Sequence, residues 1–478
     1  MKITIKVVIE QKDQMITENI TTIERQELCT ETLGLSLIES KQITSGIQQV
    51  MTQYQVDDYI AKQKTCKDCG KRLLNRGYLS LKYRTLFGKL SLKSPRLLEC
   101  NCHNHQRKSF SPLARLLPNH SLPELIYLES KWASLMSYGM TTNLLSEILP
   151  LKVNQATLQR DTKKISTTIE KELGEEKHMY IDGCLRDWQN LPKPGNPISV
   201  ALDGGYIHAR AGKNRKAGWF EAIVGKSLQD GKKPKRFGYV VNYEQKPKRK
   251  LYEMLSKQGL QANQEVTFFS DGGDTVRELP LYLSPNSEHY LDWFHITMKI
   301  TVMRQLAKGL TRETTKVEKK LDRVKWYIWH GNVRKTLSAL ASLEDELYCT
   351  YDDDEEIVKK TNKKKEGNSS KLLKTVKEFY EYIRVNGQFI PNYGDRYRHG
   401  ENISTSFAES TVNELIARRM SKQQQMRWTK QGAHLLLQLR VKTLNDELAG
   451  YFRNWYPKIQ LEGSSVIMTA NDMMAVAA

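Results

Sequence analysis

Two aspartates follow apolar runs in the same way, and this pattern predicts a site for divalent metal ions. The runs at 198–202 and 264–270 lead into Asp203 and Asp271, and two glycines follow each aspartate. This pattern is typical of a buried strand that delivers one carboxylate to the edge of a sheet. Carboxylate oxygens suit Mg2+ or Mn2+, which keep positions open for substrate phosphate.

Two-metal phosphoryl transfer at such a pair requires at least one further acid. The residues alone do not choose it, because several carboxylates are suitably placed along the chain. The candidates are Asp182, Asp274, Glu401, Glu409 and Glu414.

Four of the seven cysteines form two tight pairs, which predicts a second, structural metal site. Between the pairs, the stretch 77–92 has the pattern of a hairpin with its turn near Gly88. Two cysteine pairs that bracket a hairpin are typical of a zinc ribbon, in which four thiolates hold one Zn2+. The predicted ligands are Cys66, Cys69, Cys100 and Cys102.

Two alternatives to this ligand set remain open. The second pair is spaced CxC, so His103 or His105 could replace one thiolate, and four reduced, partly buried thiols are also possible. The total of seven cysteines is odd, and four of them lie in tight pairs. Both features fit a reducing compartment with a metal site better than a disulfide framework.

Length and charge limit the class of protein. A chain of 478 residues is expected to fold as two to four domains. Its formal net charge of +20 favours a polyanionic partner, above all nucleic acid. No run of about 18 apolar residues exists, and the start lacks a signal-peptide core, so we expect no membrane span and a cytoplasmic location.

Three short helices are predicted before the first aspartate, at 122–136, at 142–148 and after Asn154. Their arrangement around a glycine turn, with a polar and basic third helix, is typical of a helix-turn-helix unit. A plain helical bundle is the alternative. On the third helix the candidate DNA contacts are Arg160, Lys163 and Lys164.

Further candidate DNA contacts follow along the chain. Basic clusters at 232–236 and 246–250, the latter with Lys248 and Arg249, could lie along a phosphate backbone or form solvated loops. Asp292 and His295 are three residues apart and would share one face at a helix start. Trp293, Trp428 and the neighbouring Arg427 could contact a distorted DNA end, although core packing is the commoner role of tryptophan.

Four motifs together resemble a known family. They lie at 200–205, 270–274, 291–295 and 409–413, and the last continues into 418–428. In their order and spacing, the chain resembles bacterial insertion-sequence transposases of the Kra type, within the Mutator-like group of DDE transposases. The resemblance extends from about residue 30 to about residue 455.

This resemblance implies an RNase H-like catalytic core whose acids are Asp203, Asp271 and Glu409. It implies that these acids hold Mg2+ or Mn2+, two ions for phosphoryl transfer at DNA ends. It also matches Asp292 and His295 to a conserved motif after the second acid, where His295 would organise DNA or the metal shell. A hydrogen-bonded core histidine is the alternative for His295.

The expected architecture is multidomain α/β, with an RNase H-like core interrupted by a helical insertion and preceded by a zinc ribbon and a helix-turn-helix region. The segments are 1–63 (a strand, then helices over 20–63), 64–112 (ribbon), 113–185 (helix-turn-helix), 196–295 (first part of the core), 296–400 (insertion), 401–460 (last part of the core) and 461–478 (tail).

The expected function is that of a transposase that binds the element's terminal inverted repeats and a target as double-stranded DNA. It would act as a homodimer or higher oligomer in the bacterial cytoplasm, near the nucleoid, with one Zn2+ as a structural ion. Two alternatives are a domesticated DNA-binding protein that no longer cuts and a metal-dependent nuclease without strand transfer.

Overall fold

The structure is a computed structural model of mixed α/β type. It describes residues 1–11, 14–100, 102, 108–173, 190–210, 218–280, 283, 286–310, 314–361, 368–404, 410–421 and 426–461. The chain forms two compact units, Met1–Lys171 with Asp446–Ala478, and Glu172–Asn445. Within the described part of the chain, no helix is long and apolar enough to cross a membrane.

The first unit begins with an antiparallel hairpin of β1 (Lys2–Gln11) and β2 (Gln14–Glu24). Helix α1 (Leu37–Gln63) follows, and a capping box between Ser36 and Glu39 starts it. The helix predicted over 20–63 is therefore wrong before Leu37. Its first residues belong to β2, where isoleucine and threonine side chains favour a strand.

A second hairpin pairs β3 (Asn75–Thr85) with β4 (Gly88–Leu98), and the short β5 (Ser109–Phe110) joins β4. Its turn falls where the sequence predicts it. Gly88 has φ +135°, a conformation that glycine adopts without strain. Helix α2 (Pro112–Leu116) closes this module.

Three helices then form as predicted: α3 (Pro123–Leu135), α4 (Tyr138–Ile148) and α5 (Gln155–Glu172). Helix α4 begins four residues before its predicted start, because the Ser137 side chain accepts a hydrogen bond from the Met140 N–H and caps the helix there.

The second unit contains a five-stranded sheet in the order β10-β9-β6-β7-β8. Strands β6, β7 and β8 are antiparallel, whereas β6, β9 and β10 run parallel. The strands are β6 (Ile198–His208), β7 (Trp219–Leu228), β8 (Lys235–Val240), β9 (Val266–Ser270) and β10 (Ser287–Leu291).

One face of this sheet packs on α6 (Pro247–Gln258) and the short α7 (Asp274–Arg277). Alternate residues of β6 point into the same apolar core as the inner face of α6. The core includes Ile198, Val200, Leu202, Leu251, Met254 and Leu255.

A helical bundle follows β10, as the sequence predicts. It consists of α8 (Trp293–Ala307), α9 (Thr314–Trp329), α10 (Val333–Thr361), α11 (Asn368–Asn386) and α12 (Tyr393–Arg398). Its buried residues follow helical spacing, as in the series Ile296, Ile300 and Met303.

The opposite face of the sheet is covered by the π-helical segment Asn413–Ser421 and by α13 (Lys430–Leu444). Glycines allow this close approach, since a Cβ atom on Gly205 would lie 2.6 Å from Ile416 Cδ1 and one on Gly238 would lie 3.2 Å from Leu437 Cδ2.

The last helix, α14 (Leu448–Trp455), belongs to the first unit, where Phe452 packs edge-on against Tyr127 of α3 at 5.3 Å. The segment expected as the last part of the core, 401–460, therefore crosses the boundary between the two units at Asn445.

Candidate functional site

The register of two neighbouring strands brings the two Asp-Gly-Gly aspartates level with each other. In the parallel pair, Ile198 of β6 is opposite Val266 of β9, and Ala201 is opposite Phe269. Continuing this register by two residues aligns Asp203 with Asp271. The strands therefore bring level two aspartates that are 68 residues apart in the chain (271 minus 203).

The two strands differ in where they end. Asp271 directly follows the end of β9, as predicted. Asp203 lies inside β6 and not at its end, because β6 continues to His208 beside β7. The two glycines after Asp203 are part of the strand and do not end it. Gly205 leaves room for the side chain of Ile416, which packs directly against it.

Each aspartate is oriented by a nearby backbone N–H group. The Gly204 N–H donates to Asp203 Oδ1 at 2.8 Å, and the Gly273 N–H donates to Asp271 Oδ1 at 3.0 Å. Gly272, which lies between Asp271 and Gly273, has φ +82° and turns the chain sharply after β9. Both aspartates are half-buried.

Helix α11 holds the turn at Asp271 from outside. The Tyr382 hydroxyl donates to the carbonyl oxygen of Asp271 at 2.8 Å. A Cβ atom on Gly272 would lie 2.9 Å from Asn386 Oδ1, so only glycine fits beside this helix. Sequence reasoning missed Tyr382, because nothing local in the chain links it to an aspartate 111 residues earlier.

Glu221 of β7 is a further carboxylate that sequence reasoning missed. A Cβ atom on Gly204 would lie 2.8 Å from Glu221 Oε1, which places this carboxylate beside the residue after Asp203. Burial raises the pKa of Glu221 above its usual range, and the negative charge of Asp271 raises it further. A signal existed in the sequence, since Glu221 is an acid within an otherwise apolar strand.

Asp292 and His295 form a helix start, as their spacing predicts. Asp292 caps α8, and its carboxylate accepts hydrogen bonds from the N–H groups of Phe294 and His295 at 2.9 and 3.3 Å. Asp292 is buried, so this capping role replaces the predicted contact with DNA.

His295 lies in the first turn of α8, where its ring centroid is 6.3 Å from that of Tyr382. Burial lowers the pKa of His295, and the positive charge of Lys299 lowers it further, against the opposing effect of Asp271. A neutral imidazole close to the Asp271 turn is therefore the form that this environment favours.

The predicted third acid, Glu409, lies outside the described residues, as does Asp182. The chain just after Glu409 is described, and Val412 Cγ1 would lie 3.1 Å from a Cβ atom on Gly205. The other candidates are engaged elsewhere. Arg236 binds both carboxylate oxygens of Glu414, at 2.8 and 3.1 Å.

Asp274 and Glu401 also have partners at the protein surface. Arg277 contacts the highly exposed Asp274 at 2.7 Å. Arg396 contacts Glu401, likewise at 2.7 Å.

The four predicted cysteine ligands form one cluster, with all four Sγ atoms within 4.8 Å of one another. The Sγ atoms of Cys66 and Cys102 are 3.5 Å apart, and those of Cys69 and Cys100 are 3.3 Å apart. A tetrahedral ion with metal–sulfur distances of about 2.3 Å would separate its ligands by about 3.8 Å. The cluster therefore has the size of a metal site.

The environment favours the thiolate form at Cys66 and Cys100 and the thiol form at the other two cysteines. A hydrogen bond with Cys66 and burial raise the pKa of Cys102, and the pKa of Cys69 is raised as well. The N–H groups of Cys69 and Asp68 lower the pKa of Cys66, and the N–H group of Cys102 lowers the pKa of Cys100 to about 7. Gly70 has φ +69° and lets the first cysteine pair turn back on itself. The alternative ligands His103 and His105 lie outside the described residues.

The predicted DNA contacts on α5 face solvent. Arg160, Lys163 and Lys164 are exposed, whereas Leu158 and Ile165 on the other side of the helix are buried. Asp161 of α5 and Glu129 of α3 both form ion pairs with Arg84 of β3. These ion pairs hold α5 against the hairpin.

The other basic candidates are less free than the sequence suggests. Lys248 and Arg249 are half-buried in the first turn of α6, and Glu244 lies 3.7 Å from Arg249 and 3.2 Å from Lys250. This cluster is thus neither a solvated loop nor a free basic strip. In the other cluster, Arg236 is bound to Glu414.

Arg427 is exposed, as a DNA contact requires, but Trp428 is buried. The backbone N–H of Trp428 donates to the His208 carbonyl oxygen, and the Trp428 carbonyl oxygen accepts a hydrogen bond from the backbone N–H of Arg210. Trp293 packs between Trp329 and Tyr393, with ring centroids 4.9 Å away from each. Both tryptophans therefore pack in the core, Trp428 fully and Trp293 in part, and a contact of Trp293 with DNA stays a prediction.

Comparison with known proteins adds little to this geometry. No family model matches the chain, and no curated protein does. Among solved structures, a crystal structure of NurA is similar at 15% identity over 55% of this chain and 74% of that chain, with a TM-score of 0.11. A TM-score that low carries no argument about fold or activity.

Proposed function

We propose that this protein is a DNA transposase that cuts and joins DNA with divalent metal ions held by Asp203, Asp271 and Glu409. The observation that carries the proposal is the register of the parallel pair β6–β9, whose continuation by two residues beyond Ala201 and Phe269 brings Asp203 level with Asp271. Two carboxylates at one level of a sheet repel each other unless a cation binds between them.

The sheet supports an RNase H-like core as the fold around this site. Its three antiparallel strands β6, β7 and β8 precede two parallel strands, β9 and β10, that pair on the other side of β6. Asp203 lies on the central strand, and Asp271 directly follows the end of its parallel neighbour. The bundle α8–α12 follows β10 and supports the helical insertion that the family resemblance implies.

Glu409 is the third acid that the packing supports best. Val412 and Ile416 lie three and seven residues after it, and both approach Gly205, two residues after Asp203. Glu414, by contrast, is bound through both oxygens by Arg236. A carboxylate engaged in such a fork is poorly available as a metal ligand.

The residues at the aligned aspartates fit a hard divalent cation. Their donors are carboxylate oxygens, which such a cation prefers. Bound there, Mg2+ or Mn2+ would neutralise charge on the phosphate and supply an activated water. Tyr382 and the Gly273 N–H fix the Asp271 turn in advance, so the chain's own contribution is positioning.

The first unit supports binding of the element ends. We propose that Cys66, Cys69, Cys100 and Cys102 hold one structural Zn2+, and that α5 reads double-stranded DNA through Arg160 and its basic neighbours. A homodimer or higher oligomer on DNA in the cytoplasm remains part of this proposal, since two ends must be cut together.

The test is incubation of the full-length protein with duplex DNA from the flanks of its own gene and Mg2+. We expect cleaved and joined products. Asp203→Asn, Asp271→Asn and Glu409→Gln should each lower cleavage roughly a thousandfold or more, on the scale of a lost metal-held transition state.

Asp274→Asn is the matched control, because this exposed acid lies three residues after Asp271 and contacts only Arg277 among the ion pairs of the described residues. It should keep nearly full activity. Cleavage without joined products would indicate a nuclease, and binding without cleavage would indicate a DNA-binding protein that does not cut. Either outcome contradicts the proposal.

A further inference from the structure

An aromatic surface lies on the sheet a short distance beyond Asp203. Tyr206 and His208 of β6 and Trp219 of β7 point to the same face, because residues alternate along each strand and His208 pairs directly with Trp219. The intervening Ile207 and Phe220 are buried on the other face. We call Tyr206, His208 and Trp219 the aromatic platform.

The platform is open to solvent to an unusual degree. Tyr206 is 64% exposed, and Trp219 is 62% exposed although its ring stacks on His208 at 4.7 Å and 29°. Large aromatic side chains are normally buried, so an exposed group of them calls for an occupant.

The platform is also held rigid, which distinguishes it from a loose hairpin end. On one side, β7 pairs with β6 up to His208 and Trp219. On the other side, Trp428 forms a bridge with Ala209 and hydrogen bonds with His208 and Arg210. A preorganised surface loses little conformational entropy when it binds a ligand.

The charges beside the platform indicate the chemistry of the occupant. Arg210 and Arg427 are exposed, and neither has an ion-pair partner among the described residues. Flat aromatic faces beside exposed guanidinium groups match a polynucleotide strand, whose bases stack while its phosphates contact the cations. Paired bases in a duplex are stacked on each other and offer no such faces.

We propose that the aromatic platform binds unpaired bases of a single DNA strand. Tyr206 lies three residues beyond Asp203 in β6, so the alternation of side chains places the platform on the face of the sheet opposite the Asp203 side chain. Glu221 pairs with Tyr206 and shares the platform face. This inference rests on the proposed function for the identity of the strand as DNA.

The experiment uses the full-length Asp203→Asn protein without metal, so that binding is measured apart from cleavage. Fluorescence anisotropy with a labelled thymidine 12-mer gives the affinity for single strands, and a duplex of equal length serves as comparison. Trp219→Ala should weaken single-strand binding roughly 5- to 150-fold, as expected for the loss of stacking on one base. Trp219→Phe should restore most of it, and duplex binding should change far less.

Trp326→Ala is the matched control, since this tryptophan of α9 is 58% exposed but lies outside the platform. It should leave the affinity unchanged. Equal single-strand affinity in Trp219→Ala and the parent, with both folded by thermal melting, would overturn the inference. So would a change of oligomeric state in Trp219→Ala without a change in DNA affinity, because the platform would then be a contact between copies.

This outcome is separable from that of the proposed function. A protein that cuts its element ends while Trp219→Ala binds single strands normally would refute the platform alone. Single-strand binding that depends on Trp219, in a protein that never cuts, would refute the transposase alone.

Discussion

Gly205 is where the helix that follows Glu409 meets the strand that carries Asp203, so a single methyl group there tests how the site is assembled. In Gly205→Ala the new Cβ would lie 2.6 Å from Ile416 Cδ1 and 3.1 Å from Val412 Cγ1. Carbon atoms pack at about 3.5–4.0 Å, so the π-helical segment must move away by roughly 1 Å. Overpacking of this kind costs about 1–3 kcal/mol.

We expect Gly205→Ala to lower the melting temperature of the second unit by about 2–4 °C per kcal/mol. It should lower DNA cleavage more than this loss of stability explains, because a displacement of about 1 Å at a catalytic group costs roughly a hundredfold. The assays are thermal melting and cleavage of element-end DNA at a temperature where all variants are folded.

The compensating change is Ile416→Val, which deletes the Cδ1 atom that clashes. Alone it should cost about 0.5–1.5 kcal/mol, as for other buried isoleucines. Together with Gly205→Ala it should cost less than the sum of the two single changes and restore cleavage in part. Additive losses would refute the account, because Ile416 would then not be what the methyl group meets.

Three further predictions concern the metal clusters and the DNA contacts. Purified protein should contain one zinc by metal analysis, and Cys66→Ser with Cys69→Ser should lose it and melt earlier; a zinc-free parent would contradict this. Tyr382→Phe removes the hydrogen bond to the Asp271 carbonyl, so cleavage should need a higher Mn2+ concentration, with exposed Tyr397→Phe as the unaffected control. Arg160→Ala should lower the preference for element ends over random DNA in a binding titration, and unchanged preference would exclude α5 as the reader.

Local patterns predicted most of the elements around the site. The apolar run before Asp271 forms β9, and the predicted turn at Gly88 joins the two strands of a hairpin. The spacing of Asp292 and His295 correctly predicts the start of a helix. These features depend on neighbouring residues, so a sequence reveals them. The early helix was misplaced, because the apolar residues between 20 and 36 have no consistent helical period.

Features that depend on distant contacts could not be predicted. The hydrogen bond from Tyr382 to Asp271 joins residues 111 apart, and the burial of Trp428 depends on its pairing with the end of β6. In the sequence, the basic cluster around Arg249 has the pattern of an unpaired cationic segment. In the structure, Glu244 lies beside it and forms an ion pair with Arg249. Whether a tryptophan is buried or a basic residue is paired depends on its neighbours in the folded chain, which charge and residue type do not reveal.

The central claim is that Asp203 and Asp271 together hold a divalent metal ion, and metal binding tests it most directly. Isothermal titration with Mn2+, without DNA, should show binding to the parent protein and to Asp274→Asn. Asp203→Asn and Asp271→Asn should each weaken it strongly, and Mn2+ should raise the melting temperature only where it binds. Equal Mn2+ affinity in the parent, Asp203→Asn and Asp271→Asn would contradict the claim.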